Sequence, residues 1–254
     1  MTEITARNRA SLARLLRQRE ELGDPSVFLD GLVRGEALGL ADAARGEVTG
    51  RSAARPCEVS PHGASLPMLP SDHEELRTLA LGCMRCGLSQ GRTHVVFSDG
   101  TSKARLMVVG EAPGKKEDET GQPFVGPAGK LLDLLLMTID LSRSESVYIC
   151  NVLKCRPPGN RNPLPDEIES CRPFLERQIE VVSPEVILAS GTFAAQWLTR
   201  SKTPLGKLRG EVYSYQGVPL VVTYHPAAIL RNQGWRSATW DDFQLLRQLL
   251  DRRT

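Results

Sequence analysis

From about residue 104 the chain alternates short apolar runs with stretches whose apolar positions recur at helical spacing. The run "ARLMVVG", ending at Gly110, has strand length, and "PAGKLLDLLLMTID" places its leucines on one side of a helix. "SVYICNV" is a second strand. "LPDEIESCRPFLERQIEVV" follows as a helix, with Pro165 in its first turn and acidic residues behind it. "PEVILAS" is a third strand and "GTFAAQWLT" another helix. "EVYSYQGVPLVVTYHP" reads as a hairpin whose second arm is buried, and "SATWDDFQLLRQLLDRR" closes as an amphipathic helix. Strands without polar positions are covered on both faces, and intervening helices make right-handed crossovers. The pattern therefore predicts an α/β class protein, a three-layer α/β/α domain around a central, mostly parallel four-stranded sheet. In such sheets ligands bind beyond the carboxyl ends of the strands. Three places are marked: after Gly110, after Ile149 and after Tyr224.

The preceding part of the chain has a different texture. "RASLARLLRQREELG" sets Leu12, Leu15, Leu16 and Leu22 at helical spacing with Gly23 as a stop, so residues 1–40 are expected to form a helical extension. Residues 41–70 are rich in Ala, Gly, Ser and Pro without periodicity and read as a flexible linker, with Cys57 a bystander inside it. In "SDHEELRTLALGC", Ser71 as N-cap and Glu74 as its capping-box partner predict a short helix leading into Cys83.

Composition narrows the setting. Of 254 residues, 41% are hydrophobic and 24% charged, ordinary for a globular protein. No apolar run approaches the roughly 18 residues of a membrane span, and the charged N-terminus lacks the apolar core of a signal peptide. These features lead to an expected cytoplasmic location, where thiols stay reduced and a CxxC pair favours metal or redox chemistry over a structural disulfide. The net charge of +2 gives a weak overall field, so binding to nucleic acid requires a local basic patch.

Chemistry-bearing residues gather at the marked strand ends. "GEAPGKKEDETGQPFVGPAGK" carries glycines and prolines that let backbone approach a flat ligand closely; a surface loop with helix-starting charges is the alternative. It is no phosphate loop, since Lys130 is followed by Leu131 rather than Ser or Thr. Asn151 follows the second strand, where an amide offers one donor and one acceptor to a base edge or else caps a turn. Cys150 beside it belongs to the core. His225 alone among four histidines follows an apolar strand directly; His62, His73 and His94 receive no role. Two residues lie between Cys83 and Cys86, 68 between Cys86 and Cys155, and 15 between Cys155 and Cys171. Four such thiolates accept either zinc or an iron–sulfur cluster, and spacing leaves both open.

Taken together, "GEAPGKKEDETGQPFVGPAGKLLD", "NVLKCRPPGNRNP" and "YHPAAILR" resemble the signature segments of the family 4, iron–sulfur uracil-DNA glycosylases over about residues 72–250. The resemblance implies a catalytic domain over 71–254 that hydrolyses the N-glycosidic bond of uracil in single- or double-stranded DNA, acting as a monomer. It implies that Phe124 stacks on the flipped base, that Asn151 reads the uracil edge, and that Glu117 blocks the methyl of thymine. Neutral His225 would donate to uracil O2, the backbone N–H groups of the Glu111–Ala112 turn would add to it, and Ala112 and Gly114 would contact the substrate. Ala112 stands where better-known relatives carry an Asp, so Glu111 becomes the candidate to orient water. Ile229, Leu230 and Arg231 resemble a loop that enters the minor groove, an apolar wedge being a known device there. Lys154, Arg156 and Arg161 are candidate phosphate contacts near the same sheet end. All four matching positions, Cys83, Cys86, Cys155 and Cys171, are cysteine, which implies a [4Fe–4S] cluster as scaffold. Two rival readings stand beside this one: a superfamily branch that traps uracil-DNA covalently, and a non-catalytic DNA-binding module with a structural metal. The N-terminal extension is expected to dock on the domain or to bind a further protein.

Overall fold

A computed structural model describes residues 69–252. The helical extension, most of the linker and Cys57 lie outside the described residues.

The first described helix, α1 (His73–Leu81), differs from expectation at its start: Asp72, not Ser71, is the N-cap, accepting from the backbone N–H of Glu74 and Glu75 at 2.9 Å each. A carboxylate there takes two orphan donors at once and faces the positive end of the helix dipole, which a hydroxyl one residue earlier cannot do. The chain then forms β1 (Asp99–Gly100), β2 (Leu106–Gly110), α2 (Lys115–Thr120), α3 (Pro127–Met137), β3 (Val147–Asn151), α4 (Pro165–Val182), β4 (Val186–Ser190), α5 (Thr192–Thr199) and α6 (Leu205–Leu208). It ends with β5 (Val212–Tyr215), β6 (Val218–Thr223), α7 (Pro226–Arg231) and α8 (Arg236–Asp251).

The sheet has six strands in the order β1-β3-β2-β4-β6-β5. Its four central strands are parallel, as the apolar runs predict, while β1 and β5 add antiparallel edges. The count of four is thus corrected to six. A two-residue strand carries no periodicity to read, and β5 is the half-exposed first arm of the predicted hairpin.

Every residue of β2, β3 and β4 is buried. Met107, Val109, Tyr148, Cys150, Ile187, Ala189, Leu220 and Val222 share one core with Leu175 and Ile179 of α4 and Ala194 and Leu198 of α5. The alternate residues point to the opposite face, where α8 packs on β4 and β6. Covering both faces leaves the strand ends as the place where polar side chains can meet a ligand. Among the described residues no helix is long and apolar enough to cross a membrane.

Candidate active site

A cavity of about 610 Å³ opens beyond the carboxyl ends of the parallel strands. β2 delivers Gly110 and then Glu111; the register pairs Gly110 with Asn151, the last residue of β3. Pairing continues past the ladder, with Val152 N–H donating to Gly110 O at 2.9 Å and Leu153 N–H to Glu111 O at 3.0 Å. Asn151 is therefore fixed by backbone on both sides. It is only 2% exposed, and its side-chain amide lines the cavity without a partner among the described residues.

Phe124 reaches the same point from the loop between α2 and α3. A Cβ on Gly110 would lie 2.7 and 2.8 Å from its ring carbons and 2.4 Å from Asn151 Oδ1, so ring and amide meet over a space only glycine leaves. Phe124 adopts φ 54°, an unusual conformation for a bulky residue. Glu117 holds the next turn: its Oε1 accepts from Val125 N–H and Gly126 N–H at 3.0 Å each. Ala112, Gly114 (the N-cap of α2) and Glu117 all line the cavity.

His225 caps α7, its Nδ1 accepting from Ala227 N–H at 3.2 Å. That contact assigns the ring proton to Nε2, leaving a donor free for the cavity. Burial pushes the imidazole pKa down to about 4, helped by Arg231 and opposed by Glu117. The ring is thus neutral at ordinary pH. It stacks beside Phe124 with centroids 5.3 Å apart and planes 26° from parallel. Glu111 lines the same cavity, and loss of water raises its pKa.

The structure brings together Glu111, Ala112, Gly114, Glu117, Phe124, Asn151 and His225, drawn from three strand ends. The expected DNA contacts divide. Leu230 is 45% exposed and Arg231 sits at the cavity rim, but Ile229 is 2% exposed, on the buried side of a helix that packs against α3. Ile229 is no wedge. Lys154 is no phosphate contact either: it is 2% exposed, and its ammonium donates to Asn151 O at 2.6 Å. A hydrogen bond beneath the amide-bearing residue offsets part of the cost of its burial, a relation with no local signature along the chain. Arg156 donates to Asn160 Oδ1 at 2.7 Å, and Arg161 makes a two-pronged pair with Glu167 at 2.9 and 2.5 Å. Both remain partly or fully open to solvent.

Cys83, Cys86, Cys155 and Cys171 line one small separate cavity. None forms a disulfide. Two of the sulfurs already accept N–H donors, Cys155 Sγ from Arg92 at 3.2 Å and Cys171 Sγ from the Lys154 backbone at 3.3 Å. Among the described residues no three Cys, His, Asp or Glu groups are arranged to hold a single metal ion. Ala112 packs in the same apolar cluster as Cys86 and Cys171, so the cysteine cavity abuts the wall of the larger one.

Sequence reasoning passed over several contributors. Gly191 and Thr192, at the end of β4, line the cavity, and Gly191 (φ 96°) lies against His225. Their signal along the chain is the strand end in "LASGT", which obeys the same rule as the other three. Tyr224 stacks on Trp235, centroids 4.5 Å apart and planes 7° from parallel, beside the cavity. Arg143 and Gly129 touch the Phe124 turn through backbone, a relation without local sequence signature.

A parallel sheet whose strand ends surround one cavity with an aromatic face, a buried amide, a neutral imidazole donor and carboxylates defines an α/β enzyme that binds a planar, hydrogen-bonding ligand such as a nucleobase. The sequence profile of the Uracil DNA glycosylase superfamily matches residues 97–244, and the chain belongs to that superfamily. It is 43% identical over 177 residues to a type-4 uracil-DNA glycosylase of Archaeoglobus fulgidus, covering 66% of this chain and 88% of the relative. A type-4 enzyme of Sulfurisphaera tokodaii is 40% identical over 184 residues (69% and 84%), and one of Thermotoga maritima 46% over 153 residues (59% and 79%).

Proposed function

We propose that the chain is a DNA-repair glycosylase that accepts uracil flipped out of DNA and hydrolyses its N-glycosidic bond, with residues 71–254 as the catalytic domain. The observation that carries the reading is the placing of His225: its Nδ1 is occupied by a backbone donor, so its Nε2–H is left for the cavity that Asn151 also lines, with the ring stacked beside Phe124. A base inside a duplex is out of reach, so the nucleotide enters the cavity flipped. Phe124 supplies a stacking face that suits any base. Selectivity belongs to Asn151. A fixed amide matches the N3–H donor and O4 acceptor of uracil, whereas cytosine leaves unpaired groups costing about 1–3 kcal/mol each. Glu117, held by two backbone amides, presents a carboxylate where the methyl of thymine would come.

As the bond to C1′ breaks, the electron pair passes to uracil and the sugar becomes oxocarbenium-like. Water then adds to C1′, and the proton it loses passes through solvent to the uracil anion, leaving an abasic site and neutral uracil. Nε2–H of His225 stabilises the charge growing on uracil O2; removing such a donor costs about 10²–10³ in rate. Glu111, next to the wall at Ala112, orients the water. Leu230 and Arg231 meet the DNA at the rim.

The four cysteines suit a [4Fe–4S] cluster. They converge from the segment before β1, the segment after Asn151 and α4, and two sulfurs carry N–H donors of the kind that stabilise ligating thiolates. When bound, the cluster supplies cross-links that tie these segments together; hydrolysis moves no electrons and gives it no redox task. Cys155 lies four residues beyond Asn151, so the link constrains the backbone presenting that amide. Iron content and the charge-transfer absorbance of the purified protein should both disappear in Cys83→Ser. Equal binding of one zinc ion in place of iron would overturn the cluster.

The function is tested with an oligonucleotide carrying one uracil, treated with alkali after incubation. Strand scission at that position, with free uracil released, is expected. Binding without release would leave a non-catalytic module, and a denaturant-stable adduct the covalent branch.

A further inference from the structure

Phe124 is the least comfortable residue of the site. Its φ of 54° lies in the left-handed region, where a bulky side chain persists only if its surroundings impose it. The surroundings are specific. Arg143, in the loop before β3, donates from its terminal nitrogens to Pro123 O at 3.0 Å and to Phe124 O at 2.9 Å. The same guanidinium is aimed by two carboxylates, Asp99 of β1 at 2.8 Å and Asp133 of α3 at 2.9 Å. Gly129 of α3 lies so close that a Cβ there would overlap the Phe124 carbonyl, 1.6 Å from its oxygen. On the amide side, Glu117 takes the next two N–H groups. A cation thus grips the carbonyls of the turn and an anion its amides, and the ring between them has one place to stand.

We infer that Arg143 is a positioning residue: it acts through the backbone of Phe124 to hold the aromatic platform in the orientation that receives the base. This rests on the reading of Phe124 as the uracil platform. Arg143 touches no substrate. A lysine at this position keeps the charge but loses the planar fork, and it cannot serve two carbonyls and two carboxylates together.

The test compares wild type, Arg143→Lys and Arg143→Ala for binding two single-stranded oligonucleotides. One contains a single 2′-fluoro-2′-deoxyuridine, which resists hydrolysis, and the other has the same sequence without uracil. The ratio of the two Kd values isolates recognition of the flipped base. In Arg143→Lys this ratio is expected to fall about tenfold, the lower range for losing a base–aromatic stack, while affinity for the uracil-free strand is unchanged. A merely destabilised protein loses active fraction and both affinities together, leaving the ratio intact. Millimolar guanidinium is expected to restore the ratio in Arg143→Ala, and should that variant not fold, Arg143→Lys decides. An unchanged ratio in Arg143→Lys would overturn the inference. Failure of the wild type to release uracil would instead overturn the functional reading on which it rests.

Discussion

Gly110→Ala puts the assembly of the site to a direct test. The added methyl would stand 2.4 Å from Asn151 Oδ1 and 2.7 and 2.8 Å from the ring of Phe124. Comfortable heavy-atom contacts lie near about 3.5–4.0 Å, so amide and ring must each retreat by roughly 1 Å. Neither has slack. Asn151 ends a buried strand in register with β2, and Phe124 is held by Glu117 and Arg143. A displacement of about 1 Å from reactive geometry costs on the order of 10²-fold in rate, equivalent to about 2.7 kcal/mol. Overpacking should also cost about 1–3 kcal/mol in folding stability. Steady-state release of uracil from an oligonucleotide, at saturating and limiting substrate, is expected to show both kcat and kcat/KM reduced, because the reader and the platform move together. Gly91→Ala serves as control, since nothing lies within 4 Å of its added carbon. A Gly110→Ala enzyme with wild-type kcat/KM and an unchanged Tm would refute the claim that Asn151 and Phe124 are packed over this glycine.

Three further outcomes follow from charge. The His225 imidazole falls from 6.5 to about 4 in the folded chain, so stability should be level above pH 6.5 and decline as pH drops toward 4. The unfolded chain takes up a proton there that the native one refuses, a loss of at most roughly 3 kcal/mol. His225→Asn should flatten that limb in denaturant titrations at pH 7 and pH 4.5, and an identical limb would show that another group carries it. Arg231→Ala should weaken DNA binding and lower the slope of log K against log salt by about 0.7–0.9. Lys154→Met should slow uracil release and leave that slope alone, its ammonium being spent on Asn151 O; a lowered slope would place Lys154 on the DNA instead.

The layered α/β domain follows from local pattern along the chain. Uninterrupted apolar runs of strand length such as "LMVVG", alternating with stretches of helical period, read as strands covered on both faces, and that marks their carboxyl ends as the site. The sequence also supplied the residue types. An amide, an imidazole and an aromatic ring each announce their chemistry wherever they stand, and the helix dictated by "PAGKLLDLLLM" follows from its own spacing. What it left unsettled depends on partners distant along the chain. Lys154 and Ile229 look like surface residues beside Arg156 and Leu230, and only packing shows one beneath Asn151 and the other against α3. Glu117 reads as a charge on a loop until its carboxylate is seen to take the amides of Val125 and Gly126. The short β1 has no period to detect. Arg143 is an ordinary arginine in "DLSRSES", yet the tertiary structure brings Asp99, Asp133 and the Phe124 carbonyl to its guanidinium. Hydrophobic periodicity is a local property and survives in the string. Burial, hydrogen-bond partnership and a shifted pKa are properties of neighbours brought together by folding, and those neighbours decide which polar residues act on a substrate and which hold the actors still.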